Sequence, residues 1–174
     1  MRRVKALALL LAAGAAPAGA NPAAIGEALA LCIDVVEAQS RAPLDEAGLN
    51  MLAPNTLSPP QWSARYRSPA GIGEILAERG AQEAEGLPAE VSCTLHLPAA
   101  NGSAAMRWEK LGLGPVMALE SKGFAQNGGS YVSPKLARCT GTDTPIYVSF
   151  THNETKQAVV ARMSNRPDDG QDPC

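Results

Sequence analysis

All four cysteines of this 174-residue chain, Cys32, Cys93, Cys139 and Cys174, lie downstream of an N-terminal segment laid out for export. Arg2, Arg3 and Lys5 form a positive region and Val4 to Ala13 an apolar core. Ala18-Gly19-Ala20 is a small-x-small cleavage site ahead of Asn21. That is the layout of a secretory signal peptide, and its apolar run is shorter than a bilayer-spanning helix needs. An even number of cysteines in an oxidising compartment implies disulfide staples. Cys32 falls on the apolar face of a helical pattern and Cys93 on the apolar face of a strand pattern. A Cys32–Cys93 bridge follows, with Cys139–Cys174 tethering the tail. Cys93–Cys139 with Cys32–Cys174 is the competing connectivity. No C-x-x-C occurs, so neither a redox-active pair nor a zinc knuckle is indicated.

Residues 1–20 are therefore set aside as signal, 21–163 as one globular domain and 164–174 as a polar tail. The 154 residues that follow the signal suffice for a single hydrophobic core. They hold twelve basic and seventeen acidic residues, a net charge of −5. Such a surface does not suit nucleic acid or anionic lipid as the main partner. No second apolar stretch is long enough to span a membrane, and Asn21-Pro22 offers no cysteine for a lipid anchor. Abundant alanine, glycine and proline fit a high-GC bacterial genome, which makes the expected location the periplasm or the medium.

Ile25, Leu29, Cys32, Ile33 and Val36 recur at helical spacing, with Glu27, Asp34 and Glu37 on the other side, so residues 23–39 are expected to be an amphipathic helix. Pro43 stops it, and Leu44 to Gly48 form one further turn from which Leu49 returns to the core. Residues 50–60 read as loop. Trp62, Ala64 and Tyr66 alternate with Ser63, Arg65 and Arg67, the period of a half-buried strand. Ile72, Ile75 and Leu76 then predict a helix over 70–79, closed by Gly80. Val91, Cys93, Leu95 and Leu97 predict a strand, residues 103–112 a short helix, and 115–119 a strand. A glycine-rich loop covers 123–130, and another strand begins near 136–139. Residues 146–150 and 159–163 form a hairpin turning near 153–155. The fold class is α+β: an antiparallel sheet of about four to five strands with helices packed on one face, stapled by disulfides.

No motif selects a particular chemistry. His96 and His152 are the only histidines; the sequence has no H-x-H, no H-E-x-x-H and no third metal ligand at fixed spacing. His152 with Glu154, alternate residues of the hairpin, is the candidate acid–base or metal pair. Gly-x-Ser-x-Gly is absent, and Gly112-Leu113-Gly114 lacks the lysine and hydroxyl of a phosphate loop. No cofactor and no metal are implied. Aromatic residues beside arginines give the candidate binding surface: Trp62, Arg65, Tyr66, Arg67, Trp108 and Tyr131. The plain alternative puts Trp62 and Tyr66 in the core and the arginines in water. The function expected is a non-catalytic secreted or periplasmic domain that binds a protein or an envelope polymer. A small envelope-polymer hydrolase using carboxylates is one alternative; a structural or accessory subunit of an envelope assembly is the other.

Overall fold

The computed structural model describes residues 22–53, 57–82, 88–98, 119–120, 123–127, 130–132, 145–153 and 158–166. Two helices come first, α1 (Pro22–Ala38) and α2 (Ala42–Glu46). Eight strands follow: β1 (Met51–Ala53), β2 (Trp62–Arg67), β3 (Glu74–Arg79), β4 (Val91–Leu97), β5 (Ala125–Asn127), β6 (Ser130–Val132), β7 (Tyr147–Asn153) and β8 (Ala158–Ser164). They form one sheet in the order β1-β2-β3-β4-β8-β7-β6-β5, antiparallel throughout. The sheet is thus two four-strand meanders joined at β4 and β8.

Helix α1 lies on the centre of this sheet, mainly over β4 and also touching β3 and β8. Ala24, Ile25, Ala28, Leu29, Cys32, Ile33, Val35 and Val36 are buried, while Glu27, Asp34 and Glu37 are exposed, the division that the periodicity predicts. The facing residues include Tyr66, Ile75, Ala77, Val91, Cys93, Leu95, Val148, Val159 and Met163. Each fully buried Leu, Ile or Val is worth roughly 1.5–3 kcal/mol, so this helix–sheet contact carries the fold. The Cys32–Cys93 disulfide runs through it, as the two apolar faces required. Cys139 and Cys174 lie outside the described residues.

The helix ends in a Schellman motif. Ser40 N–H donates to Val35 O at 3.2 Å and Gln39 N–H to Val36 O at 3.3 Å, with Gln39 in the left-handed region at φ 48°. Gly48, at φ 67°, ends α2, and Leu49 N–H returns to Leu44 O at 3.3 Å.

Four expectations need correction. Among the described residues the sheet has eight strands, more than the four to five expected. Residues 74–79 form a strand where a helix over 70–79 was expected: Ile75 and Ala77 are buried, Glu74 and Glu78 exposed. Leu76, half-buried on the outer face, completes a helix-like apolar spacing with Ile72 and Ile75 and hides the period of two. Pairing on both edges, Tyr66↔Ile75 and Ile75↔Leu95, overrides that local pattern. Finally, β1 occupies part of the loop expected at 50–60, and β5 and β6 flank the glycine-rich stretch. Strands of three residues are too short to show a period. Leu119 and Glu120 are helical, not the end of a strand; the helix expected at 103–112 and the strand at 136–139 lie outside the described residues. The C-terminal hairpin forms as expected, Tyr147 to Asn153 against Ser164 to Ala158.

One core residue supplies a pH-dependent prediction. Tyr66 is fully buried, and its hydroxyl donates to Asp45 Oδ1 at 2.7 Å; Asp45 also meets Arg41 at 3.4 Å. Burial, the hydrogen bond and the Asp45 charge all raise the Tyr66 pKa, because each disfavours a phenolate. A pKa raised in the folded state contributes stability that is intact below the unfolded value, near 10, and is lost as pH climbs past it. Tyr66→Phe is expected to cost about 1 kcal/mol at pH 7 and to flatten the fall in stability above pH ~10. Urea unfolding of both proteins at pH 7 and pH 11 checks this; parallel alkaline losses would contradict it.

Candidate functional site

The face of the sheet away from α1 is polar. Arg65, Arg67, Glu74, Glu78, His96 and Thr151 are exposed there, with Leu76, Thr94, Ser149, Val160 and Arg162 half-buried. Strand register arranges them in rows: Ser63–Glu78–Ser92–Ser164–Tyr147 at one end and Arg67–Glu74–His96–Val160–Thr151 at the other. Arg65 meets Glu74 at 3.8 Å, but both side chains are more than half exposed, so the pair adds little.

At the first of these ends the sheet has a depression of about 250 Å³, lined by Leu57, Trp62, Glu78, Arg79, Gly80, Glu90 and Ser92. Trp62 opens β2, with one side packed on the core and the remainder half-exposed at the rim. Leu57 beside it is 45% exposed. Glu78 Oε1 accepts from Ser63 Oγ at 3.1 Å. Glu90 Oε1 pairs with Arg162 Nη2 and also accepts from Ser164 Oγ at 3.4 Å. Arg79 Nη1 donates to Gln39 O at the end of α1 at 3.4 Å, while its Nε is buried without an acceptor.

The rim is held firmly. Asn165, itself buried, donates from Nδ2 to Ala89 O at 2.9 Å and accepts from Val91 N–H on Oδ1 at 2.9 Å. Its own N–H reaches Val91 O at 3.2 Å. Glu90 lies between the two clamped residues, so its backbone is fixed by a side chain 75 positions away in sequence. Ser164 and Asn165 thereby belong to the folded body, one and two positions past the boundary expected at 163.

Comparison with protein-family models, with curated proteins and with solved structures gives no match. The site is therefore read from its chemistry.

Of the six residues proposed from sequence as a binding surface, the described ones are placed apart. Tyr66 lies in the core and offers no surface. Arg65 and Arg67 sit on the polar face, in the middle row and the far row from Trp62. Tyr131 is on β6, opposite Val148, on the far side of the sheet from β2. Trp108 is outside the described residues. Position 152 registers with Val159, and Glu154 lies outside the described residues, so that pair is not brought to a described site. What the fold assembles around Trp62 is a different set: Leu57, Glu78, Glu90 and Ser92.

A second depression of about 250 Å³ lies at the opposite end, lined by Gly73, Glu74, His96, Leu97, Pro98 and residues 158–160. Among the described residues its lining includes no aromatic side chain. Among the described residues, no group of three or more His, Cys, Asp or Glu is placed to hold a metal ion, and no helix is long and apolar enough to cross a membrane.

Proposed function

We propose that this chain is an exported, non-catalytic binding domain that holds a macromolecular ligand at the Trp62 rim. Export is read from the N-terminal segment and the oxidised Cys32–Cys93 pair, a combination that fits a periplasmic or secreted protein. The observation that carries binding is the half-exposed tryptophan set beside Glu78, Glu90 and Ser92 in an open depression. Tryptophan at such a rim combines a large apolar surface with little entropy to lose, which is why it recurs at binding hot spots. The volume falls below the roughly 300–1,000 Å³ of sites that enclose small molecules, so it suits one group of a larger ligand.

The hydrolase alternative would use Glu78 and Glu90, the two carboxylates at the rim. Both already serve as acceptors, Glu78 from Ser63 and Glu90 from Arg162 and Ser164. Glycoside hydrolysis asks one carboxyl to stay protonated and poised to donate. The arrangement favours holding a ligand over cleaving one.

Trp62→Ala is expected to weaken co-sedimentation with insoluble cell-envelope material by roughly 30-fold, about 2 kcal/mol, with far-UV circular dichroism unchanged. Trp62→Phe should retain part of the affinity. Equal sedimentation of the wild type and both variants, or none by the wild type, contradicts the proposal.

A further inference from the structure

We infer that the ligand group taken at the Trp62 depression is a sugar of a neutral, hydroxyl-rich glycan. This inference rests on the binding reading above and narrows it to one ligand class.

Three features of the site select that chemistry. The first is its mixed lining: Trp62 and Leu57 bring apolar surface, and Glu78, Glu90 and Ser92 bring polar groups. A sugar ring has the same two characters, a face of C–H groups and a perimeter of hydroxyls. The ring's face would lie on the indole, and its hydroxyls would donate to the carboxylates and accept from the serine.

The second is charge. Two carboxylates, Glu78 and Glu90, are matched by two guanidinium groups, Arg79 in the lining and Arg162 on Glu90. An isolated pair of carboxylates beside a tryptophan would attract a lysine, an arginine or an amino sugar. Among the described residues of the lining and their ion-pair partner these charges balance, so they favour neither a cation nor an anion. A hydroxyl, donor and acceptor at once, is the group that uses such a surface without needing a countercharge.

The third is the backbone. An extended polypeptide would be captured most readily along an unpaired strand edge. Most of the lining comes from β3, β4 and their immediate flanks, and both strands are hydrogen-bonded on each side, β3 to β2 and β4, β4 to β3 and β8. No main-chain edge of β3 or β4 is presented there for a peptide. Recognition on β3 and β4 falls to side chains, and the Asn165 clamp keeps Glu90 in place for that.

The test follows the Trp62 indole N–H signal by NMR in the oxidised protein, assigned by its loss in Trp62→Phe. The probes are neutral hexose and pentose oligosaccharides, de-acetylated amino-sugar oligomers, uronic-acid oligomers and a mixed peptide library. Neutral oligosaccharides are expected to shift that signal saturably, with affinity reduced severalfold in Glu78→Ala; in Trp62→Ala, which lacks the reporter, affinity read by calorimetry is expected to fall at least tenfold. A saturable shift with only peptides or only charged sugars overturns the neutral-glycan inference while leaving the binding reading intact. So does Trp62-dependent capture of envelope material that neutral oligosaccharides fail to compete. Failure of envelope material to bind at all removes the binding reading and this inference with it.

Discussion

Replacing Cys32 and Cys93 together by alanine should lower the unfolding free energy by about 4 kcal/mol. The bridge spans 61 positions, and closing a loop of that length removes a large part of the unfolded chain's freedom. It also joins the buried face of α1 to the central strand β4, the contact on which the core depends. A domain of this size has a total stability of about 5–15 kcal/mol, so the loss is a large fraction of the whole. The helix should still dock, because Ile25, Leu29, Ile33 and Val36 remain buried without the sulfur atoms. Far-UV circular dichroism of the double variant is therefore expected to resemble the wild type at low denaturant, with the guanidinium midpoint falling sharply. An unchanged midpoint would mean that the disulfide does not restrain the unfolded state in the way loop entropy requires.

The second large effect is expected at Gly73. An alanine Cβ there would stand 2.1 Å from His96 O, 3.1 Å from His96 C and 3.4 Å from Leu97 Cα. Those atoms are backbone of β4 and cannot turn aside as a side chain would. The corner is pinned on its other side as well: Ser68 Oγ accepts from Gly73 N–H at 2.8 Å and donates to Gly73 O at 2.9 Å. Relief therefore requires separating β3 from β4 near the Glu74↔His96 pair. Gly73→Ala is expected to cost about 3 kcal/mol or more, the upper range for overpacking. Gly26→Ala in α1 is the matched control. Nothing lies within 4 Å of where its Cβ would stand, so it should gain up to about 1 kcal/mol from helix propensity alone. Thermal unfolding of the two variants should move in opposite directions; a similar shift for both would show that the approach of His96 to Gly73 is not tight.

Much of this fold was legible in the sequence because its main elements are regular and one-sided. Helix α1 shows a clean apolar stripe, and β2 and β4 alternate without interruption. Those patterns also placed Cys32 and Cys93 on apolar faces suited to a bridge, one of two connectivities the sequence allowed and the one that pairs them in the structure. The pattern failed at β3, where Leu76 on the outer face mimics helical spacing, and at β1, β5 and β6, which are too short for any period to emerge. The site was only half legible. Trp62 and Tyr66 share a strand face, yet one is at the rim and the other in the centre, a difference set by distance from the strand end. Glu78 and Ser92 reach the rim through the register Ser63↔Glu78↔Ser92. That register depends on recognising 74–79 as a strand. Glu90 is fixed there by Asn165, a long-range contact with no local signature.

Hydrogen exchange in the presence and absence of envelope material tests the central claim most directly, because it reports where the ligand sits without presuming its identity. Protection is expected in peptides covering residues 62–63, 78–80 and 90–92, the three stretches that form the Trp62 rim. Peptides covering 96–98 and 158–160, at the opposite depression, should exchange at the same rate with and without ligand. Protection confined to that opposite end, or to the exposed edge strand at Met51 and Leu52, would contradict the assignment of the Trp62 rim as the binding site.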